Sequence, residues 1–118
     1  MSMHFQRQID KLKQMILSLG TLVEESVERG IRAVETRDGR LAQQVIADDS
    51  RIDAMEVDVE EECLHTLALY QPVALDLRYV VAVLKMNNDL ERIGDLSVNL
   101  AEQARSLVGA TSLTASGL

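Results

Sequence analysis

The sequence predicts an all-α fold, an antiparallel three-helix bundle. Three observations predict it. Apolar side chains recur at steps of three and four through three long segments. Short polar or proline-bearing breaks separate those segments. No segment alternates apolar and polar residues with the period of a strand.

The first segment runs from about His4 to Thr36. Ile9, Leu12, Ile16, Leu19 and Val23 form one apolar line, continued with a slight displacement by Val27, Ile31 and Val34. Residues on such a line share one face of a helix. Arg37, Asp38 and Gly39 end the pattern, and Asp38 is placed to cap the next helix.

The second segment runs from about Arg40 to Tyr70. Its line reads Ala42, Val45, Asp49, Ile52, Glu56, Val59, Cys63, Thr66 and Tyr70, so two acids stand where apolar residues are expected. Pro72 then turns the chain. Its fixed φ and missing N–H suit the first position of a helix, which fits a third segment from Val73 to Val108. The expected seam of this segment is Val83, Met86, Leu90, Ile93, Ser97, Leu100, Ala104 and Leu107. Gly94, Ser97, Ala101 and Ala104 are small enough for a neighbouring helix to come close. Asp76 suits the positive end of that helix and is placed to pair with Arg78 across the turn.

Residues 1–108 are thus expected to form one domain, and residues 109–118, small and uncharged, a flexible C-terminal tail. Helices of this length reach about 45 Å at 1.5 Å per residue. A three-helix rod so thin leaves an apolar stripe uncovered, which points to self-association.

Composition excludes several classes of function. The 118 residues carry a formal net charge of −7, no Trp, one Phe and two Tyr. An acidic surface with few aromatics repels nucleic acid and offers nothing for bases to stack on. No apolar run is long enough to cross a membrane. The single cysteine, Cys63, precludes an internal disulfide and fits a reducing, cytoplasmic setting.

Two acidic lines are candidates for chemistry. Glu91 and Asp95 are one helical turn apart on the third segment, with Asn88, Asn99 and Glu102 near the same line. Asp49, Asp53, Glu56 and Glu60 form a second line on the middle segment. Carboxylate and amide oxygens are hard donors suited to magnesium, manganese, calcium or ferric iron. A solvated acidic face is the alternative for the first line, and a hydrogen-bonded layer that sets helix register is the alternative for the second. Glu62 and His65 have the spacing used by di-iron bundles, but the chain has only one such pair. No phosphate-cradling glycine loop and no activated nucleophile is present, so no enzymatic activity is expected.

Residues 71–78 read Gln-Pro-Val-Ala-Leu-Asp-Leu-Arg, and residues 89–95 read Asp-Leu-Glu-Arg-Ile-Gly-Asp, followed by Asn99. This pairing resembles the PhoU family of phosphate-signalling regulators. The likeness extends upstream through Asp49, Met55, Glu56 and Cys63, and in all it covers about residues 5–105. Family members carry two tandem three-helix repeats, whereas this sequence has one. The resemblance implies a regulator of phosphate uptake and of the phosphate-starvation response. Its implied partners are a phosphate transporter's ATP-binding subunit and a sensor histidine kinase. It also implies that Glu91 and Asp95 belong to a metal-binding motif, with iron, magnesium or manganese as the ion, and that a second copy supplies the missing repeat. The competing readings are a ferritin-like carboxylate metal bundle and a purely structural helical module.

Overall fold

The computed structural model describes residues 2–115, with side chains described through Ala110. Three helices make up the fold: α1 (Met3–Thr36), α2 (Gly39–Tyr70) and α3 (Ala74–Ala115). No strand occurs among the described residues. The helices run up, down and up in a rod of 70 × 17 × 17 Å.

Each helix boundary has a local cause. Ser2 caps α1, its hydroxyl accepting from the Phe5 N–H at 3.0 Å. Asp38 caps α2 in the same way through Leu41, as the sequence predicts. At their C-terminal ends α1 and α2 stop on Arg37 and Gln71, both in the left-handed region with φ of 53° and 45°. The Arg37 and Asp38 amides turn back onto the carbonyls of Val34 and Ala33, satisfying acceptors that the last turn leaves open.

The α2–α3 turn departs from expectation. Pro72 lies outside α3, which begins at Ala74 with a φ of 53°. Proline pushes its neighbours toward extended backbone, and helical geometry resumes only after Val73. Asp76 occupies the first turn of α3, but no ion pair joins it to Arg78 among the described residues. Side chains two apart on a helix point in different directions. At the far end α3 continues to Ala115, where a frayed tail beginning at Gly109 was expected. No proline interrupts this stretch, and one glycine among helix-tolerant residues does not stop a helix already formed. The remainder of the expected tail, residues 116–118, lies outside the described residues.

The core has two parts. Leu12, Ile16, Leu19, Val23, Ile52, Val59, Cys63, Val80 and Val83 fill the wider one. Ala33, Ala42, Val45, Ala101 and Ala104 fill a narrower one. The expected α2 seam is buried or half-buried along its whole length. The α1 seam, however, passes through Ser26, Gly30 and Ala33, leaving Ile31 exposed. The α3 seam passes through Val80, Val83, Asn87, Gly94, Ser97, Ala101 and Ala104, leaving Met86, Ile93 and Leu107 outside. Close approach explains both displacements. The Ser26 and Ser97 hydroxyls are 2.9 Å apart. Ser97 donates to the Gly94 carbonyl at 2.6 Å, so Ser26 donates to Ser97. A Cβ on Gly30 would stand 3.1 Å from the Ser97 carbonyl oxygen and 3.3 Å from the Leu100 Cβ. Branched side chains do not fit that crossing.

Two outcomes follow from this packing. Gly30→Val forces α1 away from the Ser97 carbonyl and lowers stability by about 1–3 kcal/mol, measurable by urea unfolding. Gln71→Gly relieves a left-handed residue and raises stability by about 1 kcal/mol, measurable as a higher melting temperature.

Candidate functional site

The small residues of α3 that allow close packing also govern the site. Gly94 lets α2 come near enough that a Cβ on it would stand 3.7 Å from both Glu56 Oε1 and Ile52 Cγ2. The acidic line of α2 therefore faces the acidic pair of α3 across a groove of about 410 Å³. Asp53, Glu56 and Glu60 contribute from α2, and Asn87, Glu91 and Asp95 from α3. Glu91 and Asp95 are exposed at its rim, whereas Glu56 is 7% and Asn87 3% exposed at its floor.

Asn87 ties the helices together by donating from Nδ2 to the Glu56 carbonyl at 3.0 Å. Its Oδ1 is buried and has no protein partner. Burial, and then the negative charges of Asp53, Glu91, Asp49 and Asp95, push the Glu56 carboxyl up to about 7. Asp49 is half-buried and also raised, first by burial, then by Asp53 and Asp95 and by a hydrogen bond with Asp53. The groove is thus a surface on which carboxylates resist ionising together.

Of the expected site, Asp53, Glu91 and Asp95 line the groove, and Asp49 lies near enough to Asp53 and Asp95 to feel their charges. The structure does not bring in Asn88, which is exposed and outside the groove. Asn99 and Glu102 lie farther along α3 beside a separate hollow with Gln103 and Leu107. Sequence reasoning misses Asn87 because its neighbour Met86 is more apolar and also fits the spacing of the seam. Its signal is a polar residue four positions after Val83 and seven before Gly94 on the true seam.

The other candidates take structural roles. Glu62 accepts from Lys11 at 3.0 Å and from Gln8 at 3.3 Å, which hold its carboxyl below the usual range. His65 is exposed beside it, so the pair is not aimed into a core as a di-iron bundle needs. Cys63 is fully buried, and burial pushes its thiol up to about 11, far from a reactive thiolate. The groove's carboxylate and amide oxygens are right in kind for a hard cation. Among the described residues, however, no group of three or more His, Cys, Asp or Glu is arranged to hold one ion. The groove is an acidic surface and not a preformed metal cage.

A family model described as the PhoU domain matches residues 16–104. The phosphate-specific transport system accessory protein PhoU homolog of Aquifex aeolicus is 38% identical over 98 residues, covering 83% of this chain and 44% of its own. The PhoU homolog 1 of Thermotoga maritima is 41% identical over 100 residues, covering 85% of this chain and 43% of its own. The crystal structure of PhoU from Pseudomonas aeruginosa superposes with a TM-score of 0.87 at 38% identity, covering 90% of this chain and 51% of that one. This chain thus spans about half or less of the length of the relatives it matches.

The raised Glu56 carboxyl fixes the sign of a pH effect. Its folded value of about 7 lies above its ordinary 4.5. The folded protein therefore holds more protons than the unfolded chain between those values, and stability falls as pH rises through that window. Raising the pH from 5 to 8 is expected to cost the wild type about 1–3 kcal/mol more than Glu56→Gln. Denaturant unfolding of both proteins at the two pH values checks this.

Proposed function

The chain belongs to the PhoU family, and from that membership we propose that it is a regulatory accessory protein of phosphate uptake, working by docking and not by catalysis. Its partners under this reading are the ATP-binding subunit of a phosphate transporter and a sensor histidine kinase, whose phosphate-starvation output it holds down. The observation that carries the reading is the family match over residues 16–104, which includes all of the acidic groove. Relatives whose names place them in phosphate-specific transport support it. The buried Cys63 thiol is pushed up and the groove's carboxylates repel one another, an arrangement that suits recognition better than covalent chemistry.

Residence in the cytoplasm belongs to the same proposal. No helix among the described residues is long and apolar enough to cross a membrane. Association into a homodimer is also part of it, because Leu17 and Met86 are exposed beside one hollow between α1 and α3. Metal dependence is the narrowest part. Glu91, Asp95, Asp49 and Asp53 gather negative charge that attracts a divalent cation, and tight binding requires donors beyond those the groove now converges.

The docking reading is tested by titrating the purified chain against a phosphate transporter's ATP-binding subunit. Micromolar or tighter binding is expected, weakened about 10-fold or more by Glu91→Lys with Asp95→Lys. If the wild type does not bind at all, the reading fails. The metal part is tested by calorimetry with manganese. Heat of binding is expected for the wild type and not for Glu91→Ala with Asp95→Ala, and identical behaviour removes metal from the account.

A further inference from the structure

The groove between α2 and α3 is lined by hydrogen-bond acceptors that lack a donor. Its polar residues are Asp53, Glu56, Glu60, Asn87, Glu91 and Asp95, with no Lys or Arg among them. The ion pairs among the described residues join Lys11 to Glu62 and Arg29 to Asp48, and neither reaches the groove. Asn87 spends its Nδ2 on the Glu56 carbonyl, which fixes the amide so that Oδ1 is the atom left over. That oxygen is buried, belongs to a residue only 3% exposed, and accepts from nothing in the chain. A buried acceptor without a partner costs free energy until something brings it an N–H or O–H.

Three features narrow what brings it. The oxygens are spread along two helices, and among the described residues no three acids are arranged around one ion. A cation with several donors of its own meets such a spread better than a bare ion. The slot is narrow, because Gly94 has no side chain and a Cβ there would stand 3.7 Å from Glu56 Oε1. A guanidinium is flat, weakly hydrated and carries five N–H donors in one plane, whereas an ammonium is compact and strongly hydrated. Val57, 54% exposed, forms an apolar wall of the groove on which an aliphatic stem can lie.

We propose that the groove seats the guanidinium of one arginine carried by a docking partner, with Asn87 Oδ1 and the Glu56 carboxylate beneath it and Glu91 and Asp95 at its edge. This rests on the docking reading above and names the chemistry that the partner presents. The arginine belongs to a polypeptide and is not the free amino acid, whose own carboxylate the acidic rim repels.

Seating a cation there changes the balance at Glu56. Burial, then Asp53 and Asp49 on its own helix and Glu91 and Asp95 on α3, hold its carboxyl up at about 7. It is thus mostly protonated at pH 6 and mostly ionised at pH 8. Arginine is charged at both. Binding therefore releases the Glu56 proton and strengthens as pH rises.

NMR titration of the full chain with an acetylated and amidated Ala-Arg-Ala peptide tests this, followed at the Asn87 side-chain amide and the Glu56 carboxyl carbon. Saturable shifts at both groups are expected, with a dissociation constant on the order of 1 mM for so small a ligand. At pH 8 the matching lysine peptide binds about 10-fold more weakly. Glu56→Gln weakens the arginine peptide about 10-fold and keeps the Asn87 bond, which is made to the backbone. Asp58→Asn with Glu61→Gln removes two exposed charges elsewhere on α2 and changes binding less than about twofold. From pH 6 to pH 8 the wild type tightens about 10-fold and Glu56→Gln less than about threefold. No shift at Asn87 by about 20 mM peptide, equal affinity for the lysine peptide, or an equal loss in the Asp58 and Glu61 variant overturns the arginine assignment. If the assignment fails while the transporter's ATP-binding subunit still binds the chain, the docking reading stands without it. If the peptide seats as expected and the subunit does not bind, the docking reading fails and the chemistry of the groove stands.

Discussion

The close contact between α1 and α3 at Ser26 and Ser97 is the constraint from which the rest of the structure follows. Two hydroxyls 2.9 Å apart admit no bulky neighbours, so Gly30, Ala33, Ala101 and Ala104 continue the same narrow crossing. Dispersion and small-residue packing hold this half of the rod, while Leu, Ile and Val fill the other half. Because the hydroxyls satisfy each other and a backbone carbonyl, the narrow half carries no desolvation penalty for them.

That choice of buried line on α3 rotates the helix, and the rotation sets both of its outer surfaces. On the α2 side it delivers Glu91 and Asp95 to the rim of a groove whose floor is Glu56 and Asn87. On the α1 side it leaves Met86 and Ile93 in solvent. One helix thus separates an acidic surface from an apolar one. The acids are held near each other by packing elsewhere in the rod, which is why Glu56 tolerates burial only at the expense of its charge.

Most of the architecture is legible in the sequence because periodicity, caps and breaks agree. The α2 seam is the clearest example: its two acids, Asp49 and Glu56, interrupt the pattern without changing which face turns inward. Where legibility fails, the cause is a preference for large apolar residues over small ones. Met86 and Ile93 look more like core than Asn87 and Gly94, and a single sequence does not reveal that close approach outweighs apolar area at that crossing. The same preference passes over Asn87. The pairing of the two acidic lines was not legible either, since it depends on how α2 and α3 face each other and not on spacing within either helix.

Cys63 is the only sulfhydryl in the chain, and it sits fully enclosed among the aliphatic residues of the wider core. A thiol so enclosed is out of reach of peroxide, glutathione or another thiol without local unfolding. Contacts made through the described surface of this chain therefore need no disulfide, and oxidising or reducing surroundings leave them unaltered.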